Sequence, residues 1–184
     1  MARAAPPSLE FPDWAQISPR RRAHVARVAE LCVVWAGEMN VPVTERARWL
    51  KAVALHDALK SAPRELLREL APDGWPVKVM HGPAAAERAA RDGEHDRGIL
   101  DAVRFHSVGY AGWERVGQIL YLADYLESGR SYHTAEHDRL AQAVPLDLSG
   151  TLRAVAALRV ADTVTAGRPL LAETVAFWNS LAHE

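Results

Sequence analysis

The residues of this sequence with chemistry to offer are ionisable side chains set into apolar helix faces. Asp124 lies in Gly117-Gln118-Ile119-Leu120-Tyr121-Leu122-Ala123-Asp124-Tyr125-Leu126-Glu127, one turn after Leu120 and on its face. A carboxylate on a buried face is costly unless it meets a cation or a full set of donors. It is therefore either half of an internal salt bridge or cap, or a ligand. His24 poses the same choice, since it belongs to the stripe His24, Val28, Leu31, Trp35. A lone histidine there is either a hydrogen-bonded core residue or a ligand. His56–Asp57 closes the apolar run from Trp49 to Leu55. Adjacent helical residues point about 100° apart, so the pair can serve one cation at a helix end or two neighbouring cations. Imidazole and carboxylate are the donors of hydrolytic Mn, Fe or Zn centres. His24, His56–Asp57, His81, His106 and Asp124 fall in order at the ends or inner faces of successive predicted helices. Helices converging on one cavity can deliver such a set. Its size suits two metals better than one, provided an aspartate bridges them.

The elements that must position these groups read as helices throughout, with no convincing alternating strand. Ser18 with Pro19 opens a first helix running to about Met39. A second starts near Thr44 and ends at His56–Asp57, and a short amphipathic helix spans Glu65 to Leu70. The breakers of Ala71-Pro72-Asp73-Gly74-Trp75-Pro76 predict a loop. After His81-Gly82-Pro83 an Ala-rich helix is expected to about Arg91, followed by helices from Asp96 to Phe105 and from Trp113 to Glu127. Ala135–Val144, Leu148–Ala166 and Leu171–Leu181 complete the series. The expected fold class is all-α, a helical bundle in a single domain over 18–184. Residues 1–17 are expected to form a flexible arm, and the last two helices, about 147–182, an appendage of the same domain.

Composition removes several functions. The chain has 184 residues, enough to bury a core without staples, and 49% of them are hydrophobic. The net charge of −1 gives no pull toward nucleic acid or a membrane surface, and Arg20-Arg21-Arg22 is too short for a nucleic-acid patch. The one cysteine, Cys32, allows no internal disulfide and reads as a small buried hydrophobe. Neither a transmembrane-length apolar stretch nor a signal-peptide core is present, so a cytoplasmic location is expected. His95, His133, His137 and His183 read as solvated surface residues. Trp35, Trp49 and Trp178 read as core, while Trp75 and Trp113 flank the two site-bearing loops and could stack on a base.

The order His24, then His56–Asp57, then Asp124 resembles the defining pattern of the HD-domain phosphohydrolases, and His81 and His106 resemble the version that binds a second metal. The local contexts look closer still to the YqeK family, bacterial symmetrical diadenosine-tetraphosphate hydrolases. The matching segments are Arg21-Arg22-Ala23-His24, Ala54 to Lys60, His81-Gly82, Phe105 to Gly109, Leu122 to Arg130, and the tail Thr174 to Asn179. Ser107 stands where that family usually has threonine, and Ser128-Gly129 replaces its usual Glu-Pro step before Arg130.

The resemblance implies a helical bundle around a binuclear metal centre, commonly iron, with Mn, Co or Zn also suited. It assigns His24, His56, Asp57 and Asp124 to one metal, and His81, His106 and the bridging Asp57 to the other. A water bridging the cations would be hydroxide at neutral pH and would cleave diadenosine tetraphosphate to two ADP. Asp57 and Lys60 are then catalytic, and Arg21, Lys60, Ser107, Gly109, Glu127 and Arg130 contact substrate. Lys60 is otherwise a solvated lysine at a helix end, and Arg130 can pair with Glu127 across one turn instead. A small-molecule nucleotide is the expected partner, with a homodimer suggested by the apolar last helices. Another nucleotide or phosphate ester remains an alternative substrate, and a regulatory nucleotide-binding module without turnover is the reading from another class.

Overall fold

The computed structural model describes residues 9–132 and 134–182. Among them are nine α-helices, a single 3-10 turn over Val77–Val79, and no strand. The helices are α1 (Pro19–Glu38), α2 (Val43–His56), α3 (Arg64–Leu70), α4 (His81–Arg91), α5 (Arg97–Phe105), α6 (Arg115–Leu126), α7 (Ala135–Ala143), α8 (Leu148–Thr165) and α9 (Ala172–Ala182). Helix α6 begins two residues later than expected, so Trp113 lies before it rather than in it.

Local chemistry sets the boundaries. Ser18 Oγ accepts the Arg21 N–H at the head of α1, and Asp96 and Asp147 cap α5 and α8 in the same way. Helix α1 ends with Asn40 at φ 51°, where Val41 N–H reaches Ala36 O and Asn40 N–H reaches Gly37 O. That paired closure satisfies carbonyls the last turn would leave open. Gly93 closes α4 the same way, at φ 95°.

Helix α6 is buried on nearly every side, from Val116 to Leu126, and packs against α1, α2, α5, α7 and α8. One apolar cluster is built on it, including Val28, Trp35, Trp49, Val53, Val103, Ile119, Leu122 and Phe177. Cys32 belongs to it, and burial pushes its thiol up to about 12. The last two helices rest on each other, and α8 rests also on α6 and α7. No helix of the described residues is long and apolar enough to cross a membrane.

The expected arm is corrected over part of its length; residues 1–8 lie outside the described residues. Residues 9–17 are tied down: Leu9, Phe11 and Trp14 pack on the core, and Trp14 Nε1 donates to Asp92 Oδ2 at 2.9 Å. Gln16 N–H donates to Ala58 O at 2.6 Å and Gln16 O accepts Ser61 N–H at 3.0 Å. This strap clasps the turn that follows His56–Asp57.

Candidate metal centre and its cleft

The turn at the end of α2 and the start of α4 bring His56, Asp57 and His81 to one place. His106 follows α5, while His24 comes from the second turn of α1 and Asp124 from the end of α6. All six are buried. Asp57 sits among them with its two oxygens facing different histidines. Oδ2 lies 3.5 Å from His56 Nε2 and 3.6 Å from His24 Nε2. Oδ1 lies 3.1 Å from His81 Nε2 and 3.9 Å from His106 Nε2. Asp124 Oδ1 lies 3.1 Å from His24 Nε2 and 3.9 Å from His56 Nε2. Two potential ligand groups result, His24–His56–Asp57 and Asp57–His81–His106, which share Asp57.

The tautomers are set from behind. His56 Nδ1 meets Val53 O at 2.7 Å and His106 Nδ1 meets Val103 O at 2.8 Å. Both carbonyls belong to a helix's last turn, where no following N–H reaches them. An Nδ1–H donated to that carbonyl leaves Nε2 as a lone pair aimed into the site. His24 is held by a carboxylate instead: its Nδ1 lies 3.0 Å from Glu127 Oε1, which Arg27 and the Gly129 N–H also bind. Nε2 of His24 and of His56 are buried without a hydrogen bond. Orphaned lone pairs converging on two carboxylates fit divalent cations, and so does the donor chemistry.

The charge states of three of the four histidines agree, and His24 differs. Burial pushes His56, His81 and His106 below the usual imidazole value, His106 furthest, with His81 and His56 adding to the effect. They are neutral at pH 7, as ligands must be. Burial alone would raise Asp57, but His56, His81 and Lys60 hold it well below the usual carboxylate range. Burial likewise opposes the Asp124 carboxylate, but Arg130, His24 and His56 together hold it well below the usual carboxylate range. Burial disfavours the His24 cation too, yet Asp124 and Glu127 raise it.

Above this floor opens a cleft of about 640 Å³. Arg21, Lys60, Ser107 and Arg130 line it with Asp57 and Asp124. Arg21 Nη1 lies 2.8 Å from Asp57 Oδ2, Lys60 Nζ lies 3.0 Å from His81 Nε2, and Arg130 grips Asp124 through its carboxylate and its main-chain oxygen. Other expected contacts fall elsewhere. Gly109 N–H already donates to Phe105 O at 2.9 Å, so it is not free for phosphate. Glu127 is 1% exposed and sits behind His24 rather than in the cleft. Trp113 is buried against Tyr121 and Phe177, with Nε1 donating to Asp101 O, so it is core and not a stacking surface. Trp75 is half-buried beside Phe105, and Trp178 half-buried against the core. His137 is buried, pairing with Thr134 at the head of α7 and stacking on Tyr125, which corrects its surface reading. His95 is exposed, and His133 and His183 lie outside the described residues.

The cleft also holds residues that sequence reasoning missed: Lys78, Tyr125, Tyr132, Arg159, Asp162 and Arg168. For Arg159 a signal existed. It continues the buried stripe Leu152, Val155, Ala156 of α8, the same pattern of a charge on an apolar face that marked Asp124.

The chain matches the HD domain family over residues 21–129, more than half its length, and belongs to that family. All six candidate ligands lie inside the matched segment. It is 31% identical over 90 residues to a Bacillus subtilis protein named bis(5'-nucleosyl)-tetraphosphatase, symmetrical, covering 44% of this chain and 48% of that one. A protein of the same name from Halalkalibacterium halodurans is 27% identical over 108 residues, covering 58% and 57%. The chain thus spans about half the length of the curated relatives it matches. A crystal structure from Clostridium acetobutylicum, described as a predicted HD superfamily hydrolase involved in NAD metabolism, is similar at TM-score 0.77. The identity is 25%, with 91% of each chain covered.

Proposed function

We propose that this chain is a metal-dependent phosphohydrolase that cleaves diadenosine tetraphosphate symmetrically, giving two ADP. The observation that carries the hydrolytic reading is the division of Asp57: one oxygen faces His24 and His56, the other His81 and His106. A carboxylate so placed could be shared by two ligand groups, each holding a divalent cation. Divalent cations bound by His24, His56, Asp57 and Asp124, and by Asp57, His81 and His106, would supply Lewis acidity and a water nucleophilic at neutral pH.

The protein's own groups do the rest. Val53 O, Val103 O and Glu127 fix the histidine rings so that no reorganisation is needed as charge develops. Lys60, with Nζ 3.9 Å from Asp57 Oδ1, lies where it can offset charge building on the phosphoryl oxygens. Arg21 and Arg130 bring guanidinium forks to the cleft floor, the geometry suited to phosphate oxygens. The two relatives named as symmetrical tetraphosphatases support the dinucleotide as substrate. The description of the Clostridium structure favours, as a second reading, a different nucleotide at the same site.

Product analysis separates them. Purified protein is incubated with diadenosine tetraphosphate and Mn²⁺ or Fe²⁺, and the nucleotides are resolved by ion-exchange chromatography. ADP as sole product is expected. ATP with AMP, or turnover of a mononucleotide without turnover of the tetraphosphate, overturns the proposal.

A further inference from the structure

Arg159 lies on α8, thirty residues beyond the segment that matches the HD family, yet its guanidinium reaches the edge of the metal centre. Its side chain is 20% exposed, and Nη1 stands 3.9 Å from Asp124 Oδ2. Two aromatic rings hold it: the guanidinium carbon is 4.3 Å from the Tyr121 ring centroid and 5.4 Å from that of Tyr125. Its hydrogen bonds are long, from Nη1 to Tyr121 O at 3.4 Å and from Nη2 to Ser107 O at 3.3 Å.

An arginine that serves packing looks different in this same molecule. Arg48 meets the carboxylates of Glu45, Asp96 and Glu114 at 2.7 to 2.9 Å. Around Arg159, among the described residues, the only carboxylate oxygen within 4.0 Å is that of Asp124, which Arg130 already grips. Two of the five N–H groups of Arg159 are lightly engaged and three are left over. Stacking on tyrosine faces fixes a guanidinium without neutralising it. The group is thus an oriented, unspent cation on the wall of the cleft, next to the place where a phosphoryl group would meet the centre.

We infer that Arg159 is a specificity-determining residue that binds the phosphate adjacent to the one held at the centre, so that α8 selects substrates carrying at least a diphosphate. The Tyr121 and Tyr125 rings position it. Lys78 and Arg168 line the same cleft and extend the cationic wall away from the floor. This inference deepens the proposed function and rests on it only for the centre's being a phosphate site.

The test compares ADP with AMP as ligands of the full chain in the presence of Mn²⁺, by calorimetry, with no turnover required. The wild-type protein is expected to bind ADP at least ten-fold more tightly than AMP. Arg159→Met should weaken ADP ten- to a hundred-fold and AMP less than three-fold. Arg159→Lys, which keeps the charge and loses the fork, should fall between, and it carries the test if the methionine variant melts early. With the tetraphosphate as substrate the loss should appear in KM, with kcat within three-fold. Equal weakening of ADP and AMP, no weakening of either, or no preference for ADP in the wild-type protein overturns the inference. Failure of the tetraphosphate reading alone would appear as intact ADP selectivity without hydrolysis of that substrate.

Discussion

Replacing Glu127 by glutamine tests whether the rear support of His24 governs metal binding. The carboxylate is fully buried and accepts from His24 Nδ1 at 3.0 Å, from the Gly129 N–H at 2.7 Å and from Arg27. Glutamine keeps the volume but offers one acceptor oxygen, so its amide NH₂ must face at least one donor. Losing one buried charge-assisted bond costs about 1.5–3 kcal/mol, which lowers the melting temperature by roughly 5–10 °C. The effect on metal is separate. Partners behind a ligating histidine typically change affinity about 10–100-fold, or ~1.4–2.8 kcal/mol. That loss should fall on the side of His24, His56 and Asp124, because Glu127 touches neither His81 nor His106. The assay is a chelator-competition titration of metal-stripped protein with Mn²⁺, fitted to two sites. Unchanged affinity at both sites, or an equal fall at both, would refute the reasoning.

Asp57→Ala should abolish hydrolysis, by roughly 1000-fold or more, and elemental analysis should show loss of metal from both sides; a variant retaining two metals would disprove the bridge. Arg48→Met should cost about 2 kcal/mol in urea unfolding, because it unties α2 from Asp96 and Glu114 at the heads of α5 and α6. The Arg48 guanidinium holds Asp96 below its usual value, against a smaller opposing effect of burial. That stability is present above the unfolded aspartate value of about 3.9 and is lost as pH falls below it. The acid decline should accordingly flatten in the variant, and an unchanged profile below pH 4 contradicts the assignment. Gly109→Ala should destabilise by about 2–4 kcal/mol, since φ is 91° and a Cβ there would collide with the Phe177 ring; a melting temperature within 1 °C of wild type rules that out.

The ligand positions were legible because each breaks a rule of its element. A histidine or aspartate on an apolar stripe, or at the end of an apolar run, asks for a partner, and six such places lie in order along the helices. The helix start at Ser18 was legible from cap chemistry. The support behind the ligands was not, since Val53 and Val103 contribute main-chain carbonyls that carry no side-chain signal. Glu127 was read as a substrate contact from the family resemblance alone, with α6 expected to run through it. The helix stops at Leu126, and the extended backbone at Glu127, φ −61° and ψ 140°, turns the side chain toward α1. Trp113 misled for a related reason: lying before α6, it folds back over Tyr121. The strap of residues 9–17 was hidden behind the Ala-Ala-Pro-Pro-Ser segment that precedes it, and pairing of Gln16 with Ala58 and Ser61 is decided by tertiary packing.

The wide spacing of the ligands bears on how the chain matures. His24 and Asp124 are separated by 100 positions, yet their side chains meet at 3.1 Å. During synthesis the first three ligands emerge well before α6, and the bridging carboxylate lacks its opposite wall until that central helix docks. An unfolded chain offers a cation only the adjacent pair His56–Asp57, and a chain in which α2, α4 and α5 alone have packed offers Asp57, His81 and His106 but not His24 and Asp124 together. Metal held by the full set would therefore favour the finished bundle over partly folded states, and by mass action would deepen it by RT ln(1 + [M]/Kd). Cations bound by all six residues would act as a latch on completed folding, since that full set exists only once the helices from α1 to α6 have found their places.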